Sequence, residues 1–424
     1  MKGKRRYEAA ARRVRLTLNP MNGGIGTSLR RDEYLKRAWP LTGRAGPVRL
    51  GAKGSDLFFE VRLGGRSGLI CISEAKILRA IHERGMYRET VLEELASSDT
   101  APSVRRLLGT QNLFHRLGLR SRWGRMTYSR ILSKSTGLAL KPVLLQAALP
   151  TLNSKGRISV KRKAPGGHGY WGRRFLLSRR EDGIRAVYND DGINNRVDPV
   201  IVGWMAVERI PLVMLTTTKT AVDKKGGLLG VFKLGAGRYR KEIYEEAQAR
   251  ASGQEKMFEE MGLTKGRRGE QYFNTNTALI NHAALSPLMK DLARVLGREK
   301  VEEIATPRLI HNRKGEFTQL EGALGSAILN LDGFLQTSKD PAVRRALKDN
   351  GMAGKDGRVD FLRILNAGEA HRIRFFTPIK TAEDFHLQFG SGNFRFNVKS
   401  WMLEKSEPGS PPIAPRALSS LLEV

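Results

Sequence analysis

The chain has one cysteine, Cys71, in 424 residues, which excludes an internal disulfide and a cysteine-built zinc site and fits a reducing compartment. It also lacks an apolar run long enough to span a bilayer. The nearest one, Val200 to Leu215, is broken by Glu208, Arg209 and Pro211. The basic N-terminus runs into a polar strand without the apolar core of a secretory signal, so a cytoplasmic protein with no membrane partner is expected. Carboxylates are scarce: 42 Asp+Glu stand against 74 Lys+Arg, a formal charge of +32. That excess favours polyanions or phosphorylated substrates. The basic residues are spread along the chain, and no zinc-finger, RRM or helix-turn-helix pattern accompanies them, so nucleic acid is not the expected partner. The cluster Arg116 to Arg130, with Trp123 and Tyr128, mixes arginines and aromatics as base-stacking surfaces do. It is read here as a solvated loop.

What is present begins at Leu18 to Trp39, LNPMNGGIGTSLRRDEYLKRAW. A short strand from Arg13 to Leu18, a glycine-rich turn and a helix from Leu29 to Ala38 carrying Lys36 form a phosphate-binding device. Glycines let backbone N–H groups approach an oxyanion, and a helix start adds partial positive charge. The turn has neither the Walker spacing nor the Gly-x-Gly-x-x-Gly fingerprint. Strands are expected at 47–50 and 56–63 and helices at 73–84, with Ser73 as N-cap, at 87–97 and at 102–117. Val143 to Ala148 is apolar, interrupted by Gln146.

The middle of the chain is denser in signals. Pro165-Gly166-Gly167-His168-Gly169 presents a histidine between glycines. The strand 184–188 ends in Asn189-Asp190-Asp191, acidic groups at a strand's carboxyl end, where α/β sheets bind ligands and where an aspartate can carry Mg2+. Asp198-Pro199 opens a helix as N-cap and first residue. A buried strand 211–218 leads to Lys219 to Gly227, then a strand 228–234 and a helical spacing over 238–251 that contains Glu245. Asn274 and Asn276 are two apart on a strand, which predicts one face for both. Helices are expected at 277–296 and 319–334, a strand at 307–310, an insertion near 339–360, and a strand 372–379 delivering Lys380. Residues 1–400 form the expected core and 401–424 a Pro/Ser-rich tail.

In this order the pieces resemble the UTP-glucose-1-phosphate uridylyltransferase (UDP-glucose pyrophosphorylase) family. The family's LNGGLGTxMG is matched by MNGGIGTSLR, its GHG turn by PGGHG, its NxDN by Asn189-Asp190-Asp191-Gly192, and its KTxxDxKGG by the run Lys219 to Gly227. ExAQ is matched by Glu245 to Gln248, FNTNN by FNTNT, QLETAxGAAI by QLEGALGSAI, and PVKTTSDLLL by PIKTAEDFHL. Departures stand at Arg30, Tyr170, Gly192 and Thr277.

The resemblance implies an α/β fold: a Rossmann-like mixed sheet flanked by helices, without the C-terminal β-helix of eukaryotic members, and a monomer. Carried over residue by residue, Gly23, Gly24, Gly26 and Thr27 would wrap the nucleotide, and Gln146 and Gly167 would meet the uracil. Lys36 would meet the triphosphate, with Lys53 in GAKGSD as the alternative. His168, Asn189, Gly227, Glu245 and Asn276 would hold the sugar phosphate, Asp191 would carry Mg2+, and Lys380 would meet the phosphate of the sugar. The implied partners are UTP, a sugar 1-phosphate (glucose 1-phosphate or another hexose 1-phosphate such as an N-acetylhexosamine), the UDP-sugar and pyrophosphate. A sugar-nucleotide binding protein without turnover and a basic nucleic-acid binder are the other classes the residues allow.

Overall fold

The computed structural model describes residues 2–24, 52–178, 182–220, 223, 226–235, 238–245, 272–354, 358–389 and 391–406. Gly26, Thr27, Arg30 and Lys36, the expected elements at 29–38 and 47–50, the end of the one expected at 238–251, and most of the tail lie outside them. The chain divides into two compact units, 1–16 with 146–188 and 198–369, and 17–145 with 189–197 and 370–424. No helix among the described residues is long and apolar enough to cross a membrane.

The first unit is built on a mixed sheet. Tyr272–Asn281 pairs antiparallel with Ile184–Asn189, Leu212–Thr218 and Gly227–Gly235, and Leu362–Asn366 runs parallel to Leu212–Thr218. Leu212–Leu215 and Ala278–Ile280 are almost wholly buried, the apolar composition that sheets covered on both faces require. A four-stranded antiparallel sheet joins Leu309–Lys314, Phe317–Gly322, Ala148–Leu152 and Ile158–Pro165. The helices Gly169–Leu176, Pro199–Val207, His282–Leu296 and Leu324–Thr337 accompany these sheets.

In the second unit, Arg15–Asn22, which starts in the first unit, runs parallel to Leu95–Ala96, and Leu95–Ala96 runs parallel to Leu144–Leu145. Glu89–Leu92 is parallel to Leu138–Leu140. The hairpin Phe58–Leu63/Arg66–Cys71 turns through Gly64 and Gly65, both at positive φ (+58° and +75°). Two left-handed residues give the turn whose twist matches that of the flanking strands, and only glycine adopts them without strain. The helix Ile72–His82 is buried from Ile72 through Ile81. Its apolar members Ile72, Ile77, Leu78 and Ile81 contribute about 1.5–3 kcal/mol each by burial. Its polar members Ser73, Glu74, Lys76 and Arg79 must each find a partner inside the protein.

Several elements differ from the sequence expectation. Tyr87 to Ser97 is not a helix but the two short strands Glu89–Leu92 and Leu95–Ala96, because β-branched Thr90 and Val91 find parallel partners that outweigh helical spacing. Arg238 to Glu245 is a strand, antiparallel to Gly227–Gly235. Its alternation buries Lys241 and exposes Arg240. The first half of the segment expected as a strand at 372–379 is the end of the helix Gly368–Phe375. Pro378 then keeps Thr377 extended. The helix expected from Gln319 starts only at Leu324, after a strand that ends at Gly322, and the one expected from Thr277 starts at His282. Ser73 does not cap its helix. Cys71 does, its Sγ accepting from Glu74 N, which leaves Ser73 for another task.

Candidate active site

The second unit collects its charges where two distant segments meet. Backbone Ile379 N donates to Asp191 O at 2.8 Å, Asn194 N donates to Thr377 Oγ1 at 2.9 Å, and Gly192 bridges Pro378. Zipped in this way, 189–194 and 377–380 bring Lys380 Nζ onto Asp191 Oδ2. Lys53 Nζ donates to the same oxygen at 2.9 Å and to Ile379 O at 2.6 Å. Lys53, the sequence alternative to Lys36, is therefore the lysine beside Asp191, and its backbone N–H reaches Gly24 O at 3.5 Å. A Cβ on Gly24 would meet nothing within 4 Å, so packing among the described residues leaves room beside this backbone.

Two ammoniums on one carboxylate leave a net positive charge. Burial pushes the Asp191 carboxyl up, but Lys380 and Lys53 outweigh it and hold the group well below the usual carboxylate range. For Lys53 burial dominates: lost hydration, only partly offset by Asp191 and reinforced by the Lys380 charge, brings it down to about 8. An ammonium in that state gains from any phosphate oxygen that replaces its missing water.

Lys380 is fixed from behind. Thr381 and Asp384 form a reciprocal cap on the helix Ala382–Phe389. Asp384 Oδ2 accepts from Lys380 N and Thr381 N, both at 2.8 Å, and Thr381 Oγ1 accepts from Asp384 N at 3.2 Å.

Asp190, the neighbouring carboxylate, is structural. It accepts from Lys76 Nζ at 2.7 Å and from Ser73 Oγ, both on the buried helix. Arg79 of that helix donates to Ile193 O and Asn195 O. Burial lowers the Lys76 ammonium, with Asp190 opposing. Gly54 fits under this pair. A Cβ there would lie 2.6 Å from Asp190 O and 2.7 Å from Ser73 Oγ. We expect Gly54→Ala to cost about 1–3 kcal/mol by overpacking, read as a lower thermal midpoint, and to displace Lys53 next to it.

Gly192, a departure from the family motif, has a similar reason. A Cβ there would stand 2.6 Å from Thr377 O. Gly192→Asn, which restores the family residue, is therefore expected to lower the thermal midpoint and not to improve turnover.

Sequence reasoning missed Glu94. Placed on the helix expected at 87–97, it is in fact buried just before the strand Leu95–Ala96. Asn22 Nδ2 donates to it at 2.7 Å, and burial, with the Asp190 charge, pushes its carboxyl well above the ordinary range. The signal available was its position just before Leu95-Ala96, a strand too short for periodicity to detect.

The first unit holds the other assigned residues. His168 Nδ1 accepts from Leu324 N at 2.8 Å, at the start of the helix Leu324–Thr337. This bond makes Nε2 the protonated nitrogen of the neutral ring. Gly167 (φ +77°) packs against Gly322, where a Cβ would lie 2.5 Å from the carbonyl oxygen, and Gly322 N donates to Gly166 O at 2.8 Å. Asn276 has φ +55° beside a bulge between Leu215 and Thr216. Regular alternation therefore fails there, yet Asn274 Nδ2 donates to Asn276 Oδ1 at 2.7 Å. A Cβ on Gly325 would be 3.9 Å from Asn274 Nδ2, so the start of one helix adjoins both His168 and Asn274. Gly227 pairs in register with Glu245, and Gln146 is half-buried. Asp223 closes its own turn, accepting from Thr220 N and Oγ1, and Asp198 caps its helix as expected.

The described residues hold no cluster of three His, Cys, Asp or Glu that could enclose a metal. Asp191 Oδ1, however, is buried without a hydrogen-bond partner among them. One free carboxylate oxygen fits a Mg2+ whose other ligands are phosphate oxygens and water.

A family model described as UTP--glucose-1-phosphate uridylyltransferase matches residues 176–413, more than half of the chain. No curated protein matches in sequence. Among solved structures, a UDP-glucose phosphorylase from Trypanosoma brucei is similar over 94% of this chain and 69% of that one, at 17% identity and a TM-score of 0.55. A mutant UDP-glucose pyrophosphorylase from Leishmania major in complex with UDP-Glc is similar over 95% and 71%, at 18% identity and a TM-score of 0.57. Both likenesses carry the fold, a mixed α/β sheet flanked by helices. With more than half its length matched by the family model, the chain belongs to the UTP–glucose-1-phosphate uridylyltransferase family.

Proposed function

We propose that the protein joins UTP and a sugar 1-phosphate, with glucose 1-phosphate the first choice, into a UDP-sugar and pyrophosphate. The observation that carries this reading is the single carboxylate of Asp191 shared by Lys53 and Lys380. In-line attack of the sugar-phosphate oxygen on the α-phosphorus needs no protein nucleophile and no acid–base pair. It needs reactants held in line and the growing negative charge matched by preorganised cations.

Lys53 is assigned to the triphosphate and Lys380 to the phosphate of the sugar, with Asp191 holding both ammoniums in place until phosphate oxygens engage them. Asp191 Oδ1, buried without a hydrogen-bond partner among the described residues, would be the protein contact of a Mg2+. When bound, the ion neutralises the charge on the leaving pyrophosphate. The Gly23–Gly24 backbone and, beyond the described residues, Gly26, Thr27 and Lys36 remain assigned to the nucleotide. Within the first unit, His168, Gly227, Glu245 and Asn276 are assigned to the sugar phosphate. There Leu324 N fixes the His168 ring at a helix start of partial positive charge.

The test is pyrophosphate release from UTP and Mg2+ on adding a panel of sugar 1-phosphates, with other nucleoside triphosphates as controls. Release with one or more sugars is expected. Binding of UDP-glucose without release from any of them would leave only the sugar-nucleotide binding protein.

A further inference from the structure

The helix Ile72–His82 holds Asp190 through Ser73 and Lys76 near its start. Its far end borders a second, unassigned cavity about 9 Å or more further along, at 1.5 Å of rise per residue. This cavity has a volume of about 250 Å³. Three aromatic rings line it, Phe114, Trp123 and Trp401, together with His82, Arg84 and Arg122. Phe114 stands 5.5 Å from Trp123 and 6.4 Å from Trp401, and the Arg122 guanidinium lies 4.6 Å over the Trp123 ring. Trp401 is buried and left-handed, φ +55°, a conformation that costs a bulky residue on the order of 1–3 kcal/mol and is found where the surrounding structure fixes a side chain for use.

The segment that supplies Phe114, Arg122 and Trp123 carries charge of one sign. From Thr100 to Leu145 the sequence has nine Lys+Arg and not one Asp or Glu. Three of these cations are taken: Arg106 by Asp56, Arg116 by Glu74 and Lys141 by Glu93. Glu83, between the lining residues His82 and Arg84, is held by Arg196 at 2.9 Å. Arg120, Arg122, Arg125 and Arg130 are exposed and have no acidic partner among the described residues.

We propose that this cavity seats one base of a single-stranded nucleic acid whose phosphates run along these arginines. A stacking platform flanked by unpaired cations is how such strands are held without sequence readout. The volume falls below the roughly 300–1,000 Å³ of sites that enclose a drug-sized ligand. It suits a single base and leaves the phosphates outside, at the arginines. The segment expected to be a solvated loop thus becomes a second ligand surface, apart from Asp191, Lys53 and Lys380.

The experiment is fluorescence anisotropy of a labelled eight-nucleotide uridine strand with the full-length protein, in excess UTP and over a series of salt concentrations. Saturable binding that weakens with salt is expected. Trp123→Ala should weaken it about tenfold, in line with the roughly 1–3 kcal/mol that one stacked base contributes. Arg122→Glu with Arg125→Glu, both on the surface and unable to disturb the core, should weaken it at least as much. Pyrophosphate release should stay at the wild-type rate in all of these variants. Absence of saturable binding, displacement of the strand by UTP, UMP competing as well as the unlabelled strand, or wild-type affinity in the arginine double variant would each overturn the proposal.

Discussion

Lys380→Ala is expected to slow pyrophosphate release by about 10²–10³-fold, the usual loss when one preorganised donor to a developing charge is removed, while the thermal midpoint moves little. The asymmetry follows from how the residue is built in. Its backbone N–H, the Thr381–Asp384 cap and the Gly192 bridge at Pro378 position the segment, and none of them uses the ammonium. Only the contact of Nζ with Asp191 is lost. Asp191 keeps Lys53 at 2.9 Å, so no buried carboxylate is left bare. Lys380→Arg tests the geometry further: it retains the charge but not the compact single-point contact, and it should recover only part of the rate. Steady-state kinetics beside a melting curve decide the matter, and wild-type turnover in Lys380→Ala would remove this lysine from the reaction.

Asp191→Ala should behave in the opposite way, losing stability and activity together. Among the described residues its carboxylate is the acidic group in direct contact with Lys53, which is largely buried, and with Lys380. Removing one partner of a buried pair leaves an uncompensated charge and costs about 3–5 kcal/mol. The loss should appear as a clear fall in the denaturant midpoint. Asp191→Asn keeps the shape and still accepts one hydrogen bond, so it should unfold later than the alanine variant yet remain as poor a catalyst. Residual turnover in either variant should no longer respond to Mg2+ as the wild type does. A Mg2+ titration of the rate that superimposes on the wild-type curve would exclude Asp191 from metal contact.

Much of the candidate site was legible because its residues sit in short local signals: glycines around His168, acids at the end of the strand Ile184–Asn189, and a lysine ahead of a capped helix. Such signals depend on neighbours in sequence. What periodicity misjudged depended on neighbours in space. Tyr87 to Ser97 carries a helical spacing, but the strand Leu138–Leu140 supplies a parallel partner almost fifty residues later. Arg238 to Glu245 looks like an amphipathic helix until Lys241 is seen paired with the buried Asp332 at 2.9 Å. The roles of Gly54 and Gly192 are equally non-local, since each is glycine because a backbone carbonyl from another segment occupies the space of its Cβ. Lys53 was legible only as an alternative to Lys36. Its assignment beside Asp191 rests on a contact between residues 138 apart.

That separation has a consequence for how the protein matures. Asp191 receives its counter-ions from residues 53 and 380, so the charge balance closes only after nearly the whole polypeptide has left the ribosome, and contacts so far apart in sequence form slowly. A chain ended by a premature stop before Thr377 would bury an aspartate and Lys53 without the third charge or the Ile379 carbonyl. Such fragments should be recognised and degraded by cellular quality control instead of accumulating.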